Sequence, residues 1–408
     1  MYDILRKKNE GLKSQVVEFA QQMVQKSSPS LKEQQVADVV GKQMEAIGYD
    51  KVIQDDIGNI IGIMFGRENE PTLLLNCHMD TVMPAQEQWS NDPFSGHIKD
   101  GKLHGCGAGD CKGGLAAQVF AGALLKRSLL PLRGNLIVAA TVGEEQGASV
   151  GVRQLIEKTL PELELRPTYA ILGEPTELGL YYGHDGWVEL DINIEGTNGF
   201  DVDDAAKLIY DEFNSRAKTI DGNGGPAALA AQTPLFESCD GLRKATIGIN
   251  RRYSDSQEPQ AVISGIKHEA AMAVQAIGNV AVDVVIRKET HQMYTGTTTM
   301  VQKVTHAWET DPFCPLMERS RHALEAAGCC VRPGKWNLGR VGMATAGGVL
   351  TKDYQIPVIG YGPGNEKVIH GPNEYVEVAK IVEAVYGTAA IAHSLIGVPV
   401  FGWTSDDI

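Results

Sequence analysis

Four short segments are apolar at nearly every position: "NIIGIMFG" (59–66), "TLLLNCH" (72–78), "NLIVAATV" (135–142) and "TYAILGE" (168–174). Runs this short and this uniformly apolar fit strands buried on both faces of a sheet. Between them the period changes. In "SPSLKEQQVADVVGKQMEAIGYD" the residues Val36, Val39, Val40, Met44 and Ile47 fall on one helical face. Ser28 or Ser30 is placed to cap that helix, and Gly48 to end it. "GGLAAQVFAGALLKR" (113–127) predicts a helix of small residues suited to close packing, and "ASVGVRQLIEKTL" (148–160) a further helix. Strands alternating with helices predict an α/β layer on a mostly parallel sheet flanked by helices.

The pattern shifts near residue 187. "WVELDINIEG" alternates strictly, as an antiparallel strand with one wet face does. A helix ("DVDDAAKLIYDEFNSRA"), a glycine- and alanine-rich stretch (221–232), a strand ("KATIGINRRY"), a helix ("QAVISGIKHEAAMAVQ") and a strand ("VAVDVVIRK") follow. This is a small α+β unit of ordinary domain size. After about residue 300 the βα character returns, ending in an amphipathic helix. The simplest organisation is a larger domain, 1–186 and 296–408, with a smaller domain, 187–295, inserted into it.

Composition narrows the function classes. The chain has 408 residues, enough for two cores, and a net charge of −14. No basic tract tracks phosphates and no run is apolar enough to span a membrane, so neither nucleic acid nor a membrane is an expected partner. The start lacks a secretory signal pattern, and the seven cysteines are scattered without a paired C-x-x-C set. A cytoplasmic protein with reduced thiols is expected.

Polar residues cluster where the apolar runs stop. "LLLNCHMDTV" supplies His78 and Asp80, "GCGAGDCKGG" Asp110, "TVGEEQG" Glu144 and Glu145, "AILGEPT" Glu174, and "GYGPGNEKVIHGPNEY" His370. In open α/β sheets, ligands gather at the carboxyl ends of strands. Taken singly, each cluster is ordinary: adjacent glutamates suit a helix start and "GEPT" suits a turn. Together they form the inventory of a two-metal site. Mixed histidine and carboxylate donors suit zinc, manganese or cobalt. His78 and Glu174 would serve one ion, Glu145 and His370 the other, with Asp110 bridging. Asp80 would accept the second ring N–H of His78. Glu144 is left without a metal and is the natural general base for a metal-bound water.

At these residues the chain resembles the metallopeptidase and deacylase family of acetylornithine deacetylase, succinyl-diaminopimelate desuccinylase, aminoacylase-1 and carboxypeptidase G. The stretches that carry the resemblance are "HMDTV", "DPFSGHIKDGKLHGCGAGDCKGG", "TVGEEQG", "ILGEPT", "GHDGW" and "GYGPGN…HGPNEY". The resemblance implies a zinc-exopeptidase-like catalytic domain with the same five ligands, a base at Glu144, and an inserted ferredoxin-like lid that dimerises. Three departures stand out. The family's lid histidine is missing from "GTNGFDVDD", where Asn198 and Phe200 stand. The glycine- and asparagine-bearing lid segment is replaced by "DGNGGPAALAAQTPLFESCDG". Cys106 takes the place of an arginine in "GCG".

Removing an oxyanion donor costs about a hundred- to a thousandfold in rate. Candidate replacements or substrate contacts are Asn198, His184, Arg251, Arg252, Arg287 and His291. Arg287 and His291 follow an apolar strand near the domain junction and are the most interesting of these. The expected reaction is hydrolysis of a C–N bond in a small carboxylate-bearing substrate, of the N-acyl amino acid or dipeptide type, by metal-bound hydroxide. One alternative, implied by the nitroanthranilate aminohydrolase within this family, is hydrolytic deamination of an aromatic amino acid. Phe200, Tyr294 and Trp336 are candidates for an aromatic pocket there. An alternative of another class is a non-catalytic small-molecule-binding protein. Retention of Glu144 argues against it.

Overall fold

The computed structural model describes residues 1–220, 229–336 and 345–399. Most of the glycine- and alanine-rich stretch, residues 221–228, therefore lies outside the described residues. The chain opens with helices α1 (Tyr2–Glu10), α2 (Lys13–Val24) and α3 (Gln34–Ile47). Strands β1 (Lys51–Gln54), β2 (Ile60–Met64) and β3 (Thr72–His78) follow, then α4 (Gly113–Arg127), β4 (Asn135–Thr141), β5 (Tyr169–Leu172) and β6 (Leu180–Tyr181). The lid comprises β7 (Gly186–Gly196), α5 (Gly199–Ile220), β8 (Leu229–Ala231), β9 (Leu235–Cys239), β10 (Leu242–Tyr253), α6 (Pro259–Ala273) and β11 (Val280–Ile286). A hairpin, β12 (Lys288–Gln292) and β13 (Thr298–Gln302), leads to β14 (Val304–Thr305), and β15 (Pro333–Gly334), β16 (Val358–Gly360) and α7 (Val378–Ile396) complete the larger body.

The larger body is built on an eight-stranded sheet in the order β1-β2-β4-β3-β5-β16-β6-β15. Its centre is parallel: β3 pairs with β4 and β5, and β16 with β5, all in the same direction. β3 and β4 are buried at every position, as uniformly apolar runs require. Full burial of each leucine, isoleucine or valine there contributes about 1.5–3 kcal/mol. His78, the Glu144–Glu145 pair and Glu174 stand at or just beyond the carboxyl ends of β3, β4 and β5, and His370 lies beyond β16, whereas Asp110 does not follow a strand of this sheet as expected but sits in the turn before α4.

The lid is a β-α-β-β-β-α-β unit with strands ordered β8-β10-β7-β11 and β9 also paired to β10, all antiparallel. Val188, Leu190, Ile192 and Ile194 of β7 line its core, while Asn193 and Glu195 face water. The expected boundary at 295/296 falls inside the β12–β13 hairpin. Met293 and Val301 of that hairpin are buried in the core of the larger body. β14 then returns to pair with β7 at the root of the lid.

One local expectation is corrected. α3 begins at Gln34 and has no serine cap. Ser28 instead donates to the Met79 carbonyl at 2.8 Å, and Ser30 to the Asp80 carboxylate at 2.7 Å. The serines precede the helix by a full turn, and a bridge between Pro29 and Thr81 holds them beside the end of β3. Gly48 does end the helix, in the left-handed conformation at φ 84°.

The small residues of α4 serve contact with the sheet. A Cβ on Gly114 would lie 1.8 Å from the Gly173 carbonyl, at the end of β5. Gly114→Ala should therefore destabilise the protein by about 2 kcal/mol or more, by forcing α4 off the strand end. Denaturant unfolding beside the wild type measures this, and an unchanged midpoint would refute the close packing.

Candidate metal centre

His78 ends β3. Its Nδ1 lies 2.8 Å from the Asp80 backbone carbonyl, which makes Nδ1 the protonated nitrogen and leaves Nε2 to face inward. Nε2 stands 3.1 Å from Asp110 Oδ1 and 3.8 Å from Glu174 Oε2. On the far side of Asp110, its Oδ2 is 3.1 Å from His370 Nε2, which is itself 2.9 Å from Glu145 Oε1. Asp110 thus turns one oxygen to each histidine. In each triad, His78–Asp110–Glu174 and Asp110–Glu145–His370, the donor atoms lie within 4.8 Å of one another. Each triad could hold a divalent ion, with Asp110 common to both.

Local backbone chemistry places each arm. Asp110 lies in a glycine-rich turn with a cis Asp110–Cys111 peptide bond. The Glu374 carboxylate accepts the N–H groups of Gly107, Gly109 and Asp110 at 3.1, 2.8 and 3.1 Å. Burial, then the nearness of Asp110, pushes Glu374 up to about 7. Gly143, at φ 65°, turns the chain after β4. Glu144 and Glu145 follow, and their N–H groups both donate to the Asp80 carboxylate at 3.0 Å. Buried Glu33 accepts the Gly143 N–H at 3.0 Å.

Asp80 therefore differs from its expected role. Its carboxylate is occupied by these two N–H groups and by Ser30, and stands 3.5 Å from His78 Nδ1. The nearer acceptor of the ring proton is the backbone carbonyl. Asp80 thus orients the glutamate turn first and the imidazole second.

The electrostatics show what the cluster lacks. Asp80, Asp110, Glu144, Glu145 and Glu174 crowd around His78 and His370. Burial raises Glu174 well above the usual carboxylate range, and Asp110 and Glu144 push it further. Glu144 is likewise raised well above its usual value, by burial first, with Glu145, Asp80 and Asp110 adding to it. Burial opposes charging of His370, yet Glu145 and Asp110 lift it to about 11. Asp110 is held low by hydrogen bonds from both histidines despite its burial. A buried excess of carboxylates is the charge pattern that divalent cations balance. Glu144 belongs to neither triad.

The chain brings three further residues to the centre that the sequence reading did not assign. They are Glu374, Glu33 and Cys111, whose Sγ joins the His78 triad and accepts the His78 N–H at 3.2 Å. Position was the signal for Cys111, directly after Asp110. Glu33 and Glu374 carried none, because both act on backbone amides from a distance in sequence. Cys106 is buried with its thiol toward the Val82 carbonyl.

The candidate substrate contacts are placed differently from expectation. Arg287 is bound into the lid: its guanidinium meets Glu189 at 2.7 Å, Asp191 at 2.8 Å and Gln232 at 3.1 Å. Two carboxylates on the adjoining strand β7 claim it, so it is not held out toward a substrate carboxylate. His291, on the β12–β13 hairpin, faces Glu289 at 3.1 Å. His184 has both ring nitrogens engaged, with the Asp185 carbonyl and Thr345 at 2.8 Å each. Burial lowers it to about 4. Asn198 accepts the Phe200 N–H at 3.1 Å at the start of α5. Arg252 is buried on β10 opposite Trp187, with Asp185 nearby, and its neighbour Arg251 pairs with Val188.

The three aromatic candidates do not form one pocket. Phe200 is 84% exposed on the lid. Tyr294 binds the Gly58 carbonyl at 2.7 Å. Trp336 packs against Tyr181, His184 and Trp308. No helix among the described residues is long and apolar enough to cross a membrane.

Comparison with known proteins follows the same lines. Over 416 residues the chain is 26% identical to the uncharacterized protein YgeY of Escherichia coli K12, covering 96% of each chain. It is 24% identical over 429 residues to the N-formyl-4-amino-5-aminomethyl-2-methylpyrimidine deformylase of Bacillus subtilis, covering 93% of this chain and 94% of that one. In fold it matches Bacillus subtilis YxeP, described as a dinuclear metal-binding peptidase, with a TM-score of 0.67 at 13% identity over 94% of this chain and 98% of that one. The model for peptidase family M20/M25/M40 matches residues 74–394. The chain belongs to this family and is a metallohydrolase of the peptidase and amidohydrolase type.

Proposed function

We propose that the protein hydrolyses a C–N bond in a small carboxylate-bearing substrate, an N-acyl amino acid or a dipeptide, with Glu144 as general base. The observation that carries this reading is the place of Glu144. It is a carboxylate beside two metal-binding triads and outside both. The likeness to a deformylase and to a peptidase supports an amide-type bond.

The donor sets fit divalent ions, zinc first and manganese or cobalt next. When bound, such ions would supply Lewis acidity and lower the pKa of bound water. The chain's own residues do the rest. Asp110 keeps the two halves in register. The Asp80 carbonyl fixes the tautomer of His78, and the Asp80 carboxylate fixes the backbone of Glu144. Glu144 takes a proton from the attacking water and delivers it to the leaving nitrogen. Amide and water become carboxylate and ammonium, both protons of the water ending on the leaving nitrogen.

The lid offers a surface for self-association. β11 is hydrogen-bonded to β7, and its other edge is open among the described residues. Val285 on that strand is 41% exposed and Met272 on α6 54%. An open edge beside exposed apolar side chains favours pairing with a second copy. We infer a homodimer joined through this edge.

Glu144→Gln should leave two ions bound and reduce turnover about a hundred- to ten-thousandfold. Metal analysis beside turnover tests this, and unchanged turnover would remove Glu144 from the mechanism. Product identification tests the bond. N-acyl amino acids and dipeptides should yield a new primary amine, whereas free ammonia from an aminobenzoate would reassign the reaction to aromatic deamination. Sedimentation velocity should show a dimer that Val285→Lys converts to monomer, and a monomeric wild type would refute the lid interface.

A further inference from the structure

A buried lysine links the glutamate turn to the lid. Lys303 lies between β13 and β14 and is 5% exposed. Its backbone is fixed in the root of the lid. Its N–H donates to the Arg287 carbonyl, and its carbonyl accepts the Glu189 N–H, both at 2.9 Å. From there its ammonium donates to the backbone carbonyl of Gln146. It also faces Glu189 Oε1 and Glu289 Oε2 at 3.5 Å each, and lies 5.7 Å from the centre of the Trp187 ring. Gln146 directly follows Glu145.

Two neighbouring contacts run the same way. Gly147 sits at φ 77°, and a Cβ there would meet the Trp187 ring at 2.8 Å. The Ala148 N–H donates to Thr305 Oγ1 at 3.4 Å. At its other end the turn is held by Asp80 through the Glu144 and Glu145 N–H groups. Residues 144–148 are therefore strung between the central sheet and the lid. Lysine is almost never this buried unless paired, because desolvating an ammonium is expensive. A carbonyl that only needed a donor would be satisfied by water. Burial of a full charge at this carbonyl indicates that its position is being specified.

We propose that Lys303 is a positioning residue that sets the place of Glu144 and Glu145 from the lid side. The proposal rests on the metal-centre reading above. It predicts an asymmetry. His78, Asp110 and Glu174 are carried by β3, by the turn before α4 and by the end of β5. None of the contacts of the Lys303 side chain reaches those segments. The Asp110–Glu145–His370 half depends on the strung turn. Removing the ammonium should loosen one half of the centre and spare the other.

The test compares wild type, Lys303→Met, Lys303→Arg and Glu144→Gln. Each is titrated with zinc by calorimetry, with ion content checked after dialysis. Wild type should take up two ions. Lys303→Met should keep one at wild-type affinity and bind the second at least tenfold more weakly. Its kcat should fall with KM little changed, and Lys303→Arg should recover the second ion. Equal weakening of both sites, or no change in either, would overturn the proposal. If Lys303→Met does not fold, Thr305→Val should show the same asymmetry to a smaller degree, and symmetric or absent change there overturns it equally. Full activity in Glu144→Gln with two ions bound would defeat the general-base reading while leaving the lysine result standing. A wild type that binds one ion would overturn both.

Discussion

The two imidazoles of His78 and His370 meet opposite oxygens of one buried carboxylate, Asp110, and the rest of the molecule is arranged around that contact. Three glutamates in the same pocket are pushed toward their protonated forms by burial and mutual repulsion. Such a site is stable only if something cationic completes it or the surroundings hold it by force. The surroundings do hold it. Glu374 grips the Asp110 turn through three backbone amides, and α4 lies so close to the end of β5 that only glycine fits at position 114. Rigid placement of donors before an ion arrives is what a two-metal hydrolase requires.

Glu144 and Glu145 have the least self-contained support of any arm of the cluster. His78 stands at a strand end and Glu174 two residues beyond one. Glu144 and Glu145 lie on a turn whose far end is docked on the lid by Lys303, Trp187 and Thr305. The inserted domain is therefore part of the site even without a side chain among the metal donors.

The residues nominated for substrate recognition are each held by neighbours that the sequence does not announce. Arg287 follows an apolar strand, which suggested a cation aimed into a cleft. β7 brings Glu189 and Asp191 alongside it, and neutralising those carboxylates is its principal contact. His184 lies in the family-like stretch "GHDGW", yet one ring nitrogen meets the Asp185 carbonyl and the other Thr345, with the ring packed against Trp308 and Trp336. Asn198 stands where the family carries a lid histidine and is engaged at the start of its own helix.

The sequence alone determined the strands and the alternating lid, and it singled out five residues that the fold brings into two clusters. Burial on two faces, burial on one face and a donor at a strand end each leave a pattern within ten residues. Counting donors against ions is also what suggested different roles for Glu144 and Glu145. Tertiary structure alone decided what joins distant segments. Ser28 and Ser30 look like helix caps until the end of β3 passes beside them. Asp80 does face His78, but only the fold shows that its carboxylate also takes the Glu144 and Glu145 N–H groups. Glu33, Glu374 and Lys303 have no local signature, because each acts on a backbone group more than a hundred residues away. Backbone amides and carbonyls are the same at every position, so no pattern of side chains announces which of them a buried charge will hold.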